Sequence, residues 1–185
     1  MSLDTLKEQL PEYARDLKLN LSGLGAITSL TPQQLWGTIM AAGMASGQPA
    51  VMLATAQAAR EHLSPAAMLA AKAATAIMGM NNIYYRFTHL VGNENYATMP
   101  ARLRMNVMAN PGVEKVDFEL WSLAVSALEG CGRCIEAHEA TVMQHNVSRE
   151  AIQDAVRIAA ILKGVAVTLA AETVYAESGL ESAAA

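Results

Sequence analysis

Apolar residues recur along this chain at intervals of three and four, the spacing of one helical face, and no stretch alternates apolar and polar as a half-buried strand does. Leu3, Leu6 and Leu10 form the first such face, closed or kinked at Pro11. Residues 15–30 hold more Gly, Ser and Asn and are expected to connect rather than to form an element. Thr31-Pro32-Gln33-Gln34 then has the form of a helix start, with Thr31 as N-cap, Pro32 at the first helical position and Gln34 closing a capping box. That helix should run through Trp36 to about Gly47. Pro49 opens another, ending near His62-Leu63, and Ser64-Pro65 repeats the start signal before a long Ala-rich helix towards Met80.

Residues 81–99 read as helix followed by loop, Leu103 to Met108 as a short helical piece, and Asn110-Pro111-Gly112 as a turn. Asp117 is expected to cap a helix over 118–129 that Gly130 breaks, and the next helix begins at Cys131. Ser148 caps a further helix through Ile161, Gly164 precedes an apolar stretch to Tyr175, and the tail 181–185 should fray. The fold class is all-α, one domain over residues 1–185. Within it Gln34-Leu35-Trp36 returns as Glu119-Leu120-Trp121, Ser64-x-x-Ala67 as Ser148-x-x-Ala151, and Gly79 as Gly164. This predicts two pseudo-repeated helical units, about 31–80 without cysteine and about 117–165 with both.

Composition sharpens the picture. Hydrophobic residues make up 52% and charged residues 16%, which excludes a disordered chain. Aromatics are 5% while Met reaches 11 residues, a mix suited to close-packed helices. A mean hydropathy of +0.21 is high for a monomer and points to a buried subunit interface, since no segment reads as an uninterrupted membrane span. A formal net charge of −4 without a basic cluster argues against nucleic-acid binding. The first residues lack the basic-then-apolar order of an export signal, so a cytoplasmic location is expected.

The chemistry concentrates in Gly130-Cys131-Gly132-Arg133-Cys134-Ile135-Glu136-Ala137-His138, which holds the 2 cysteines of the chain. On a helix Cys131, Cys134 and His138 fall at i, i+3 and i+7, one stripe. Two cysteines so spaced can form a disulfide, and a helix N-terminus stabilises a thiolate. The flanking glycines and Arg133 argue for accessible sulfurs. His138 is placed to act as base or proton carrier. Glu119, early in the preceding helix, would lie beside His138 if the two helices pair antiparallel across Gly130. Its alternative role is to complement the N-terminus of its own helix. These features suit thiol–disulfide exchange or peroxide reduction, a general thiol–disulfide oxidoreductase included. From another class, a zinc-stabilised helical binding module would use the cysteines with His138 and Glu119 or His145 as ligands. His62, His89 and His145 are assigned to helix ends or an interface, Trp36 and Trp121 to core anchoring. Met40, Met44, Met78, Met80, Met105 and Met108 are assigned to packing.

The blocks Leu10-Pro11-Glu12-Tyr13-Ala14, Gln34-Leu35-Trp36-Gly37-Thr38, Met78-Gly79-Met80-Asn81-Asn82, Leu103-Arg104-Met105-Asn106 and Phe118-Glu119-Leu120-Trp121-Ser122 extend the pattern over nearly the whole chain. With Glu119, Cys131, Cys134 and His138 they resemble the AhpD family of alkyl hydroperoxide reductases, within the carboxymuconolactone decarboxylase-like superfamily. The resemblance implies a homotrimeric, all-helical, lipoyl-dependent peroxidase with no bound cofactor. Its dithiol would take electrons from dihydrolipoamide on a dehydrogenase-complex acyltransferase, recharged by dihydrolipoamide dehydrogenase. It would reduce organic hydroperoxides or the partner peroxiredoxin AhpC. By position, Cys134 resembles the peroxide-attacking thiol that becomes sulfenic acid and pairs with the partner. Cys131 resembles the proton donor and resolving thiol, and Glu119 and His138 the proton relay. Helix-dipole reasoning alone would instead favour Cys131 as the low-pKa thiol. Some relatives carry a histidine between the cysteines where this chain has Arg133, which cannot shuttle protons.

Overall fold

In the computed structural model, which describes residues 2–179, every regular element is helical. The tail expected to fray, 181–185, lies outside the described residues. The helices are α1 (Leu3–Gln9), α2 (Arg15–Ser22), α3 (Pro32–Ala45), α4 (Pro49–Ala59), α5 (Pro65–Leu90), α6 (Glu94–Thr98), α7 (Lys115–Glu129), α8 (Gly132–Gln144) and α9 (Arg149–Glu177). Short 3₁₀ turns at Glu12–Ala14, Leu24–Ala26 and Asn106–Met108 join them.

The predicted starts hold where side chains satisfy the first amides. Thr31 Oγ1 accepts from the Gln34 amide at 3.2 Å while Gln34 Oε1 accepts from the Thr31 amide at 3.2 Å, and Pro32 needs no partner. Ser64 and Ser148 cap α5 and α9 in the same way, each accepting from the amide three residues on. Asp117 does not cap α7. Glu114 occupies that position, and the Asp117 carboxylate, one turn inside, accepts from Gln33 Nε2 at 2.7 Å and Gln34 Nε2 at 2.9 Å. That clamp ties the first turn of α7 to the first turn of α3.

Packing overrides local preference in three further places. Residues 15–22 form α2 rather than a connector, because Leu21, and Leu24 just beyond it, sink into the core. Leu103 to Met105 is not helical, and only Asn106–Met108 makes a 3₁₀ turn. The helix expected to stop near Ile161 continues to Glu177, while α5 runs to Leu90 before a loop, as read for residues 81–99. Glycine in a helix costs only about 1 kcal/mol relative to alanine, and around Gly164 the buried Leu162, Val165 and Leu169 outweigh that. Because α9 is unbroken, it is long and apolar enough to cross a membrane, with a mean hydropathy of 1.5 over its best window. Reading it as two segments hid this. Here its apolar stripe (Ala151, Ala155, Ile158, Leu162, Val165, Leu169) faces the protein core instead.

α7 is the axis of the molecule. Every residue from Asp117 to Ser126 is buried, as a helix surrounded by others requires. It packs against α3, α5, α8 and α9. Leu120, Leu123 and Ala124 join Leu6, Leu35, Ile39, Ile158 and Leu162 in one apolar cluster. Phe118, Trp121 and Val125 point the other way, into a second cluster with Met40, Ala70, Ala74 and Met78. Gly37 on α3 lets the Trp121 indole lie directly on the helix backbone, where a Cβ would collide with the ring. Trp121 is thus the core anchor expected. Trp36 is only partly buried and stacks on His62, ring centroids 4.1 Å apart and planes within 9°.

Candidate active site

The site sits where α7 turns into α8. Gly130 takes the left-handed conformation (φ 70°, ψ 35°) that side chains resist. Its amide donates to the Ala127 carbonyl and that of Cys131 to the Ser126 carbonyl, at 3.2 and 3.1 Å, the Schellman arrangement that closes a helix. Arg86, reaching from α5, donates through Nη1 to the Glu129 carbonyl at 2.5 Å. The turn is therefore held from inside and from outside. Cys131 becomes the extended N-cap of α8, and Cys134 lies in its first turn.

The two cysteines form a disulfide, with their Cα atoms 5.3 Å apart, within the usual span for one. They are less accessible than the glycines and Arg133 suggested. Cys131 is 0% exposed and Cys134 6%. The cause is that α8 lays its cysteine face onto α5 and α7, so the glycines open the turn without opening the sulfurs. Arg133 points outward and places its guanidinium over the Tyr85 ring, 5.8 Å from the centroid.

His138 and Glu119 meet as the antiparallel pairing of α7 and α8 predicts. Glu119 Oε2 accepts from His138 Nδ1 at 2.6 Å, and each residue is 6% exposed. With Nδ1 so engaged, Nε2 is the nitrogen left to hold or release a proton. In this disulfide state it rests 3.2 Å from Met78 Sδ. All four sequence-predicted residues therefore gather at the α7–α8 hairpin. The helix N-terminus adds unpaired amides that favour a thiolate once the disulfide opens.

A cavity of about 320 Å³ leads to this group, lined by Met78, Asn81, Tyr85, Met105, Met108, Arg133, Cys134, Ala137 and His138. Cys131 is not among the lining residues. The α5 wall went unrecognised in the sequence. Met78, Asn81 and Tyr85 share one stripe at i, i+3 and i+7, and the available signal was two adjacent asparagines, both now buried, interrupting an Ala-rich apolar helix. Met78, Met105 and Met108, assigned to packing, line the cavity, whereas His145 ends α8 and His89 is exposed in the last turn of α5 rather than in a loop. Among the described residues no group of three or more His, Cys, Asp or Glu side chains is placed to hold a metal ion.

Comparison with known proteins bears on the family. A profile of the carboxymuconolactone decarboxylase family matches residues 94–177, which include the whole hairpin. Over nearly its whole length the chain is similar to proteins named alkyl hydroperoxide reductase AhpD. That of Maricaulis maris is 58% identical over 94% of this chain and 100% of the relative. That of Rhodopseudomonas palustris is 56% identical over 92% and 94%, and that of Brucella canis 54% identical over 92% and 98%. Identity at this level, spread over nearly all of both chains and joined to a helical fold with a CxxC disulfide, places the chain in the AhpD family of alkyl hydroperoxide reductases.

Proposed function

We propose that the protein is an antioxidant peroxidase that reduces organic hydroperoxides through the Cys131/Cys134 pair. The observation that carries this reading is the buried Glu119–His138 hydrogen bond beside a disulfide whose Cys134 faces a mostly apolar cavity. In the reduced protein His138 Nε2 takes the Cys134 proton, and Glu119 stabilises the imidazolium. The thiolate attacks the hydroperoxide, the O–O bond breaks, and Cys134 becomes a sulfenic acid as the alcohol leaves. The Cys131 thiol then attacks that sulfur, expelling water and forming the disulfide. Two electrons and two protons from a dithiol restore the starting state.

Access supports giving Cys134 the nucleophile's part, although the N-cap position of Cys131 is closer to the helix dipole. A peroxide in the cavity meets Cys134 and cannot reach the enclosed Cys131 without movement. For the same reason we propose that mixed disulfides with AhpC form at Cys134. The dithiol that recharges the site is dihydrolipoamide on an acyltransferase arm, renewed by dihydrolipoamide dehydrogenase. No bound cofactor is needed, because the cysteines carry the electrons, and the location is cytoplasmic. Assembly as a homotrimer would cover Ile83, Phe87 and Leu90, an exposed apolar stripe on α5.

The test follows peroxide-dependent NADH oxidation with lipoamide and dihydrolipoamide dehydrogenase in wild type, Cys134→Ser and Cys131→Ser. Turnover should vanish in both variants, with a sulfenic acid trapped on Cys134 when Cys131 is serine. Absent peroxide turnover in wild type, with model disulfides still reduced, would assign the site to general disulfide exchange instead.

A further inference from the structure

Asn81, like Tyr85 and Arg133, is a polar member of the cavity wall that the relay does not employ. Its side chain is 4% exposed, and it lines the same space as Cys134 and His138. Nδ2 donates to the Met108 thioether at 3.7 Å, which sets the direction of the amide, and Oδ1 has no hydrogen-bond partner. A buried amide oxygen without a donor is a liability of about 1–3 kcal/mol, and such groups in native proteins call for an explanation. Met78, Met105, Met108 and Ala137 have no donor to give, and the donors elsewhere on the wall, Tyr85, Arg133 and His138, make no hydrogen bond to Oδ1. With its amino group engaged on Met108, Asn81 has only an acceptor left to offer.

We propose that Asn81 Oδ1 accepts the O–H of a bound hydroperoxide, making Asn81 a substrate-positioning residue that selects ROOH over dialkyl peroxides. This rests on the peroxidase reading above. The Cys134 thiolate attacks the oxygen that bears the hydrogen; the S–O bond forms, the O–O bond breaks, and the electron pair leaves on the other oxygen as RO⁻. His138 Nε2 gives RO⁻ its proton. The attacked oxygen keeps its own hydrogen throughout and ends as the sulfenic acid. An acceptor on that hydrogen therefore steers the reacting oxygen from binding through transfer without exchanging a proton itself. An amide suits the task. A carboxylate there would repel the thiolate, and a hydroxyl could rotate and donate. ROOR has no such hydrogen and gains nothing from Oδ1.

The test separates the two half-reactions. Pre-reduced wild type, Asn81→Leu and Asn81→Ala are mixed with tert-butyl hydroperoxide, and their disulfides are separately reduced by dihydrolipoamide. Both variants should be oxidised about tenfold more slowly, the loss of one hydrogen bond, a larger loss than in their reduction by dihydrolipoamide. A measurement on wild type alone guards against misfolded variants: tert-butyl alcohol, which keeps the O–H, should compete with the hydroperoxide, and methyl tert-butyl ether should not. Undiminished oxidation of the variants, or equal competition by alcohol and ether, would overturn the role of Asn81. A wild type that no hydroperoxide oxidises would overturn the peroxidase reading itself.

Discussion

A buried imidazole fixed by a carboxylate at 2.6 Å has one nitrogen committed and one available, and that asymmetry directs the chemistry at the scale of single residues. Replacing His138 by Gln should lower peroxide-dependent turnover by about a hundredfold, the usual worth of a positioned acid–base group. Disulfide formation under mild oxidant, read by thiol titration, should persist. Glu119→Gln keeps an acceptor but removes the charge, so a smaller loss is expected in the same assay. Cys131, Cys134 and His138 were legible in the sequence because their spacing is local and helical periodicity converts spacing into direction. Glu119 required one more step, the antiparallel hairpin across Gly130. Met78 and Asn81 were not legible, because they reach the site through the packing of α5 on α8, which no local spacing encodes. The burial of the sulfurs escaped notice for the same reason.

Among elements, the turn from α7 to α8 bears most on function and can be probed without touching a reacting group. Gly130→Ala forces a β-carbon into the left-handed region at a cost of about 1–2 kcal/mol, which should appear as a lower urea midpoint. At the α3–α7 crossing, Gly37→Ala inserts a methyl group into the Trp121 ring. About 1–3 kcal/mol of destabilisation is expected from such overpacking, visible in thermal unfolding followed by tryptophan fluorescence. Helix starts were legible from Thr31-Pro32, Ser64-Pro65 and Ser148 because a cap is a short-range event. The helix end at Ile161 was misplaced because glycine's penalty is small beside the apolar surface buried on either side of it. Asp117 was misassigned because its partners, Gln33 and Gln34, sit at the start of a distant helix.

For the whole molecule, α5 presents two stripes that differ in destination. Met78, Asn81 and Tyr85 face the cavity, while Ile83, Phe87 and Leu90 face outward, with Phe87 against Tyr96 of α6. If the outward stripe is the trimer contact proposed above, Phe87→Glu with Leu90→Glu should lower the mass measured by light scattering to that of one chain. The cavity wall and the contact stripe belong to the same rod, and Arg86 lies between them, holding the Glu129 carbonyl beside the reactive turn. Loss of neighbours would therefore be felt at the sulfurs through a single stiff member. Enzymatic output per chain should then fall as the protein is diluted, at the concentration where subunits part company.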